Sequence, residues 1–461
     1  MASTNSARGT RDFLPSDVRK REYVIGIIKQ VYESYGFEPL ETPAVENIET
    51  LMGKYGEEGN QLIFRILKRG EKLQEILDSE NPQSAIRNPQ SLSDLALRYD
   101  LTVPLARVVA NRKNELPKFF KRYQIQPVWR ADRPARGRFR EFYQCDADAI
   151  GSESLIVEAE LISAVSEILK RLGFNDFVIR VNHREVLADI LDTAGVPAEK
   201  QVETLVAIDK LDKVGPEGVR KELAARGIAD GASKMLLDIF QQTQRIIDEG
   251  VEANRTIIRN LINIVSDDVL SEIGQVLKFA DGCPLQIDPS LARGLSYYTG
   301  TIMEINVPDL AGSLGGGGRY DGLIGMFGKE QIPACGFSLG LERILVVMDE
   351  RGMFPSEIAA SSPADVMVTI WSEESAGESL GLASELRAQG LRVATYPEAD
   401  KLGKQLKYAS QIGVPWVCVL GESESAESKV TLKNMQSGEQ VLLPRNEIAE
   451  RIKMPTRAAD G

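Results

Sequence analysis

The order of apolar and polar positions divides the first part of the chain into short helices and strands. Apolar residues recur at helical spacing between residues 17 and 35, which predicts an amphipathic helix. A short strand over residues 37–43 and a hairpin-like pattern over residues 61–73 are predicted to follow it. Residues 79–94 are rich in Asn, Pro, Gln and Ser, which indicates an exposed loop.

A strand and a helix meet inside residues 95–110, "LALRYDLTVPLARVVA". Asp100 and Thr102 follow the apolar strand, and Pro104 suits the first turn of a helix. Taken alone, this pair is typical of a turn or a helix cap. The junction is therefore a candidate site only if other polar side chains converge on it.

Residues 122–151 carry the most informative pattern. Two β-prone runs flank a turn-rich segment that contains Pro134 and Gly137, which predicts a hairpin with a long tip. Successive side chains of a strand point to opposite faces, so the even-numbered residues of the second strand share one face. These residues are Arg138, Arg140, Phe142, Gln144, Asp146 and Asp148.

This face leads from guanidinium groups, through an aromatic ring and an amide, to carboxylates over about 26 Å. Arginine suits phosphate oxygens, and a phenylalanine can stack on a base. An ordinary solvated strand face is the simpler interpretation of scattered charges. The order of residue types nevertheless favours a ligand shaped like a nucleotide beside an amino acid.

The rest of the chain alternates between two kinds of pattern. A helix is predicted over 154–172, a buried strand over 177–181, and a block of helices over 184–279 that reads as an insertion. Strands return from about Pro284, and a strand runs into a helix next to Arg343. The glycine run Gly315–Gly318 matches no phosphate-binding loop and is interpreted as a flexible turn.

A Ser/Pro break near Ser361–Pro363 predicts a domain boundary. Strands and helices alternate after it, which predicts a small α/β domain over 363–461. We therefore expect an α+β chain with a first domain over 1–362, built on an antiparallel sheet, that contains the helical insertion. A chain of 461 residues is too long for a single core, which agrees with this division.

Composition and charge narrow the functional classes. The net charge of −12 argues against a general nucleic-acid binder. Between Arg107 and Arg140, however, the sequence contains eleven Lys and Arg residues and only two acidic residues, so this segment is strongly basic. Such a patch on an acidic protein suits selective contact with a polyanion.

Cysteine and histidine usage exclude further classes. The four cysteines are far apart, form no CxxC pair and suggest a cytosolic chain without disulfides or a structural zinc site. We expect no secretory leader and no membrane span, because no apolar run reaches about 20 residues. His183 is the single histidine, so catalytic triads and HExxH zinc chemistry are not expected, and a structural or surface role is the more common one for such a residue.

Three stretches resemble the histidyl-tRNA synthetases, a family of class II aminoacyl-tRNA synthetases: "LRYDLTVP", "REFYQCDADAIG" and "LARGLSYYTG". The opening "GTRDFLP" and the segment "GGGGRYDGL" are also similar, the latter to the glycine-rich strand of the family. The likeness covers nearly the whole chain. It implies an antiparallel catalytic domain, a C-terminal anticodon-binding domain and a homodimer. It also implies the substrates L-histidine, ATP and tRNA(His), with Mg²⁺ accompanying ATP and no tightly bound cofactor.

The resemblance also implies roles for single residues. The residues matched to histidine binding are Asp100, Leu101, Thr102, Arg130, Gln144, Asp148, Arg293, Tyr297, Tyr298 and Tyr320. The residues matched to ATP binding are Arg130, Asp132, Arg138, Phe142 and Arg343. Arg130 and Arg293 are the pair expected to act on the reacting phosphate. Adenylate formation and transfer depend on positioning and charge stabilisation, so no nucleophile of the protein is required.

One departure from the family stands beside this match. Ser296 occupies a position where the family usually has Asp, which leaves the orientation of Arg293 open. Three other functions also stay open. They are a histidine-sensing regulatory relative that lacks the C-terminal domain, another class II synthetase such as the threonyl or prolyl enzyme, and a non-catalytic RNA-binding scaffold.

Overall fold

Two units make up the chain in the computed structural model, and they divide after Met353. The sequence-based boundary lies slightly later, at residue 362. The structure describes residues 4–78, 92–208, 210–249, 253–292, 297–328, 330–359 and 362–454. Most of the predicted loop over 79–94 lies outside these residues, as do Arg293 and Ser296.

The first unit combines strands and helices. Its strands are β1 Glu38–Pro39, β2 Val45–Asn47, β3 Arg65–Leu67, β4 Ser93–Leu97, β5 Phe120–Trp129, β6 Glu141–Ile150, β7 Val178–His183, β8 Leu285–Ile287, β9 Thr301–Asn306, β10 Gly315–Arg319 and β11 Ala334–Gly340. Its helices are α1 Pro15–Ser34, α2 Ile48–Leu51, α3 Gly56–Gln61, α4 Glu71–Leu77, α5 Thr102–Arg112, α6 Ile156–Arg171, α7 Arg184–Thr193, α8 Ala198–Ile208, α9 Leu211–Ala225, α10 Asp230–Glu249, α11 Ala253–Leu261, α12 Asp267–Phe279 and α13 Leu341–Glu350.

An eight-stranded sheet organises this unit, in the order β1-β5-β6-β11-β10-β9-β7-β8. Its inner pairs are antiparallel, while the outermost strand at each edge pairs in parallel with its neighbour. β5 and β6 form the predicted hairpin, in which Gln126 faces Gln144. The sequence prediction of an antiparallel sheet is confirmed.

One face of the sheet packs on helices. On α1, Val24, Ile28 and Val31 are fully buried, and the Tyr32 hydroxyl donates to the carbonyl of Cys145 on β6 at 3.1 Å. Cys145 is also fully buried. Because Cys145 and Gln144 point to opposite faces, the even-numbered residues of β6 turn away from this packed layer.

Residues 184–279 are helical in the parts that the structure describes, as predicted, and they comprise α7 to α12. This block begins directly after β7 and returns to β8, which pairs in parallel with β7 at the sheet edge. The insertion therefore leaves and re-enters the sheet at adjacent strands.

Two local predictions were wrong. The glycine run is not a turn but strand β10, in the middle of the sheet. A Cβ at Gly317 would lie 2.0 Å from the carbonyl oxygen of Gly336, so glycine allows the neighbouring strand to approach. The glycines thus serve close packing of strands rather than flexibility.

The pattern over 61–73 does not form a hairpin. β3 pairs instead with the distant β4, and residues from Glu71 onward form α4. The helix starts after Gly70, whose φ of +60° suits glycine. Local β-propensity identified a strand here but not its partner.

The second unit has its own five-stranded sheet, in the order β13-β12-β14-β15-β16. The strands are β12 Val366–Val368, β13 Val393–Thr395, β14 Trp416–Val419, β15 Lys429–Asn434 and β16 Gln440–Pro444. The helices are α14 Ser356–Ala359, α15 Ala376–Ala388, α16 Leu402–Gln411, α17 Glu422–Ala426 and α18 Ile448–Lys453. The predicted α/β pattern is confirmed, while α17 and β16 were not predicted. Among the described helices of the chain, none is long and apolar enough to cross a membrane.

Candidate active site

A cavity of about 210 Å³, open to solvent, lies on the face of the large sheet that the even-numbered residues of β6 share. The residues of the predicted site that line it are Asp100, Thr102, Arg130, Asp132, Arg138, Phe142, Gln144, Asp148, Tyr297, Tyr298, Tyr320 and Arg343. The structure thus brings into one cavity residues that lie far apart in the sequence.

Asp100 forms one corner of the cavity and is almost fully buried. Its Oδ1 accepts hydrogen bonds from the Tyr55 hydroxyl at 2.8 Å and from the backbone N–H of Val103 at 3.1 Å. Tyr297 donates to its Oδ2 at 3.5 Å. Burial raises the pKa of Asp100, and the Val103 N–H and the nearby Arg130 oppose this shift. Asp100 precedes the N-cap residue Leu101 and accepts an N–H group of the first turn of α5, and it also lines the cavity.

Arg130 follows β5 and reaches into the middle of the cavity. Its Nε donates to the carbonyl of Tyr99 at 3.0 Å, and its Nη2 lies 3.5 Å from Oε1 of Gln144. The guanidinium stacks over the ring of Tyr99 at 4.4 Å and near that of Phe142 at 5.2 Å. These contacts hold the guanidinium group of Arg130 in position and leave some of its N–H groups free to donate to an anionic ligand.

One end of the cavity, lined by Phe142, Arg138 and Arg343, combines aromatic and cationic groups. Arg343 is the third residue of α13, and its Nη1 donates a hydrogen bond to the carbonyl of Ser313. Arg138 forms an ion pair with Asp132 at 3.0 Å. A Cβ at Gly137 would lie 3.1 Å from Cγ of Arg343, so the hairpin tip and the α13 arginine are close together.

The opposite end is lined by Asp148 and three tyrosines. Tyr320 donates its hydroxyl to Oδ1 of Asp148, and the ring of Tyr297 meets the rings of Tyr298 and Tyr320 edge to face at 5.0 and 6.0 Å. Burial raises the pKa of Asp148, while Arg122 and the Tyr320 hydroxyl oppose this shift. Burial also raises the pKa of Tyr320 well above its ordinary value, and Asp148 adds to this.

Two charged residues at this end of the cavity were given no role from the sequence. Arg122 on β5 is fully buried, and its Nη2 lies 2.8 Å from Oδ2 of Asp148. Asp146 lines the cavity between Gln144 and Asp148 and is 1% exposed. Burial raises its pKa to about 7, Arg122 lowers it, and Asp148 raises it. Strand parity had placed Asp146 on the ligand face, and that was the signal available in the sequence.

The remaining predicted residues have other positions. Leu101 is fully buried directly before α5. Arg293 lies outside the described residues. Arg140 departs from the predicted face, because its Nε donates to the carbonyl of Asp132, while its neighbour Phe139 lines the cavity. The strand begins only at Glu141, so alternation does not extend to residues before it.

The single histidine lies elsewhere in the fold. His183 is 5% exposed, and its Nδ1 accepts the backbone N–H of Glu185 at 3.2 Å at the start of α7. Of the structural and surface roles expected for His183, the structure therefore shows the structural one. In this cavity, positioning by arginines, carboxylates and hydroxyls is the chemistry that the side chains offer.

An antiparallel sheet, an arginine-bearing hairpin and an arginine at a strand-to-helix junction are the features expected of a class II aminoacyl-tRNA synthetase, and the comparisons with known proteins show that class. A family model described as "Histidyl-tRNA synthetase" matches residues 71–344, and one described as "Anticodon binding domain" matches residues 365–454. The chain belongs to the histidyl-tRNA synthetase family.

Individual relatives agree with this assignment. The chain is 41% identical to a histidine–tRNA ligase of Christiangramia forsetii over 97% of this chain and 98% of that protein. It is 39% identical to the corresponding ligase of Cytophaga hutchinsonii over 98% of this chain and the whole of that protein. The crystal structure of a histidyl-tRNA synthetase from a Nostoc species covers 98% of this chain and 99% of its own, with a TM-score of 0.74 and 32% identity.

These comparisons decide between the interpretations left open by the sequence. Threonyl and prolyl enzymes are excluded by the family match. The regulatory relatives were expected to lack a C-terminal domain, and here residues 365–454 match the anticodon-binding family. A non-catalytic scaffold does not account for full-length similarity to histidine–tRNA ligases.

Proposed function

We propose that this chain ligates L-histidine to tRNA(His) in an ATP-dependent reaction that passes through histidyl-adenylate and releases AMP and diphosphate. The observation that carries the proposal is the single cavity that joins Asp148 and its tyrosines to Arg130, Phe142 and Arg343. An amino acid and a nucleotide placed along this cavity meet at Arg130.

Histidine occupies the end that contains Asp148. Its α-ammonium lies against Asp100, Thr102 and Gln144, and its carboxylate against Arg130. Its imidazole lies between Asp148 and the hydroxyls of Tyr298 and Tyr320, with Tyr297 beside them. An isosteric apolar side chain would leave these buried polar groups unpaired, and such a site can reject it by about 10⁴ or more.

ATP occupies the other end. Phe142 and Arg343 hold the adenine ring between an aromatic face and a guanidinium, a favourable pairing for a base. Arg138 and Asp132 contact the remainder of the nucleotide. Arg130 then reaches the α-phosphate and the histidine carboxylate together, because its guanidinium offers donors on more than one edge.

In the first step the histidine carboxylate attacks the α-phosphorus and diphosphate leaves; in the second a terminal hydroxyl of tRNA attacks the adenylate and AMP leaves. Arg130 and Arg293 stabilise the charge on the phosphate oxygens, and fixed positioning supplies the remaining acceleration. Mg²⁺ enters as part of the ATP substrate, and no tightly bound cofactor is proposed. Among the described residues, no group of three or more His, Cys, Asp or Glu is arranged to hold a metal ion.

tRNA binding involves three parts of the chain. Residues 363–461 read the anticodon, with Lys404–Lys407 as a candidate contact, and the helical insertion closes on the acceptor stem. The hairpin tip, Arg133–Arg136, contacts the acceptor end. In the protein alone Arg136 pairs with Glu350 and donates to the carbonyl of Asp309 at 2.8 Å, so RNA would have to compete with these contacts. Lys404 similarly pairs with Asp400 at 2.9 Å.

The enzyme works as a homodimer in the cytoplasm, as the family resemblance implies. Light scattering coupled to size-exclusion chromatography tests the dimer.

Charging assays test the main proposal. The full chain, supplied with ATP, Mg²⁺ and radiolabelled histidine, should acylate a tRNA(His) transcript and leave a tRNA(Thr) transcript uncharged. Histidine binding without any adenylate formation would contradict the proposal and identify a sensor instead.

A further inference from the structure

Asp146 is a buried carboxylate on the cavity floor for which the reaction described above has no use. It stands on β6, two residues after Gln144 and two before Asp148, on the same face. Its Oδ1 lies 3.4 Å from Nε2 of Gln144, and Ser338 on the neighbouring strand β11 also hydrogen-bonds to the carboxyl group. Its Oδ2 accepts no hydrogen bond among the described residues, so this buried oxygen has capacity for a further donor.

The charges around Asp146 do not balance in the protein alone. Arg122 faces it from β5 with Nη2 4.0 Å from Oδ2, but the same nitrogen lies 2.8 Å from Asp148. Asp100 adds negative charge from the start of α5, and Tyr32 approaches from the opposite face of the sheet. Two neighbouring buried carboxylates therefore share one guanidinium, which disfavours ionisation of both.

The proposed function leaves this imbalance at the imidazole end. Arg130 offsets the histidine carboxylate, and Asp100 offsets the α-ammonium. Arg122 offsets only one of Asp146 and Asp148. A neutral imidazole donates one N–H and carries no charge, whereas an imidazolium donates two N–H groups and carries the missing positive charge.

We propose that Asp146 is a second imidazole-recognition carboxylate and that the pocket holds histidine as an imidazolium, whose positive charge is offset by Asp146 together with Asp148. This inference rests on the proposed function, because it takes histidine as the ligand. Asp146 is then a specificity residue of the activation step, and it favours a side chain that can carry a proton.

A proton balance follows from this arrangement. Free imidazole has a pKa near 6.5, and burial raises the pKa of Asp146 to about 7 and also raises that of Asp148. At a pH where free imidazole and both carboxyl groups have lost their protons, histidine binding must take one proton from the solvent. Histidine affinity should then fall about tenfold for each further pH unit.

Calorimetry of histidine binding to the full chain at about pH 8 tests the inference. The binding enthalpy is measured in buffers that differ in ionisation enthalpy. The slope of the binding enthalpy against the buffer ionisation enthalpy gives the number of protons taken up. We expect a slope close to one proton for the parent protein and close to zero for Asp146→Asn. Glu115→Gln, which removes one carboxylate from an exposed pair with Arg112, is the matched control and should keep the parent slope.

The outcomes separate this inference from the proposed function. Histidine binding by the parent with no proton uptake would overturn the inference and leave the proposed function intact. An unchanged slope in Asp146→Asn would also overturn it, because another group would then hold the proton. If Asp146→Asn does not fold, the parent slope alone decides. Absence of any binding heat with histidine, together with absent charging, would instead reject the proposed function.

Discussion

Gly336 and Asp148 are direct register partners on neighbouring antiparallel strands of the large sheet. A Cβ at position 336 would lie 1.9 Å from Oδ1 of Asp148, closer than any real contact. The absence of a side chain at Gly336 therefore provides the space for the Asp148 carboxylate. Under the proposed function, in which Asp148 binds imidazole, the selection of histidine depends on this glycine.

Replacing Gly336 with alanine should displace Asp148 and break its contact with Tyr320. Misplacement of a reacting or binding group by about 1 Å can reduce activity about 100-fold, so we expect at least such a loss in kcat/KM for histidine. Gly26→Ala is the control, because a Cβ there meets no atom within 4 Å inside α1. The control should keep full activity and gain up to about 1 kcal/mol of stability.

Truncation of Phe142 should affect ATP rather than histidine. Stacking of a base on an aromatic ring contributes about 1–3 kcal/mol, so Phe142→Ala should raise the KM for ATP by roughly 5- to 150-fold. Steady-state exchange kinetics at saturating histidine measure this change. Phe119→Ala removes a ring that is 61% exposed and should leave both KM values unaltered. An equal effect on the histidine and ATP constants would contradict the assigned stacking role.

The buried pair of Arg319 and Glu158 should contribute to stability and not directly to binding. Nε and Nη2 of the arginine meet the two carboxylate oxygens at 2.6 and 2.8 Å, and the Glu158 side chain is fully buried. Glu158→Gln leaves Arg319 with only the more exposed Asp321, at 3.2 Å, as a counter-charge, and the loss of one partner of a buried pair reduces stability by up to about 3–5 kcal/mol. Urea unfolding should show this loss, whereas Glu115→Gln at an exposed pair should change stability by about 1 kcal/mol or less.

His183 should make stability depend on pH. Burial lowers its pKa, with Glu272 opposing the shift, so the unfolded chain binds a proton more readily than the folded one. Its stabilising contribution is then complete above the unfolded pKa of about 6.5 and is lost as pH falls below it. His183→Asn keeps a side-chain acceptor for the cap of α7 but does not titrate. Between about pH 7.5 and 5.5 the parent should lose more thermal stability than this variant, and equal losses would contradict the account.

The sequence predicted the elements whose patterns are local. The helix near residues 17–35, the hairpin around Arg130 and the helical block over 184–279 all follow from periodicity within one segment, and the structure confirms them. Parity along β6 also places Phe142, Gln144 and Asp148 on one face, and all three line the cavity.

Features that depend on distant partners could not be obtained in this way. The glycines of β10 appear flexible in isolation and become intelligible only beside β11, whose backbone they must approach. β3 was assigned to a local hairpin because its partner, β4, is about thirty residues away in the chain. Arg122 likewise gains meaning only from Asp146 and Asp148, which the fold places opposite it.

The central claim is that the cavity activates histidine through Asp148. Amino-acid-dependent exchange between ATP and diphosphate, measured without tRNA for each of the standard amino acids, tests it most directly when Asp148→Ala is assayed beside the parent. The account predicts exchange by the parent with histidine alone and its loss in Asp148→Ala. Exchange with a different amino acid, or full histidine-dependent exchange in Asp148→Ala, would contradict it.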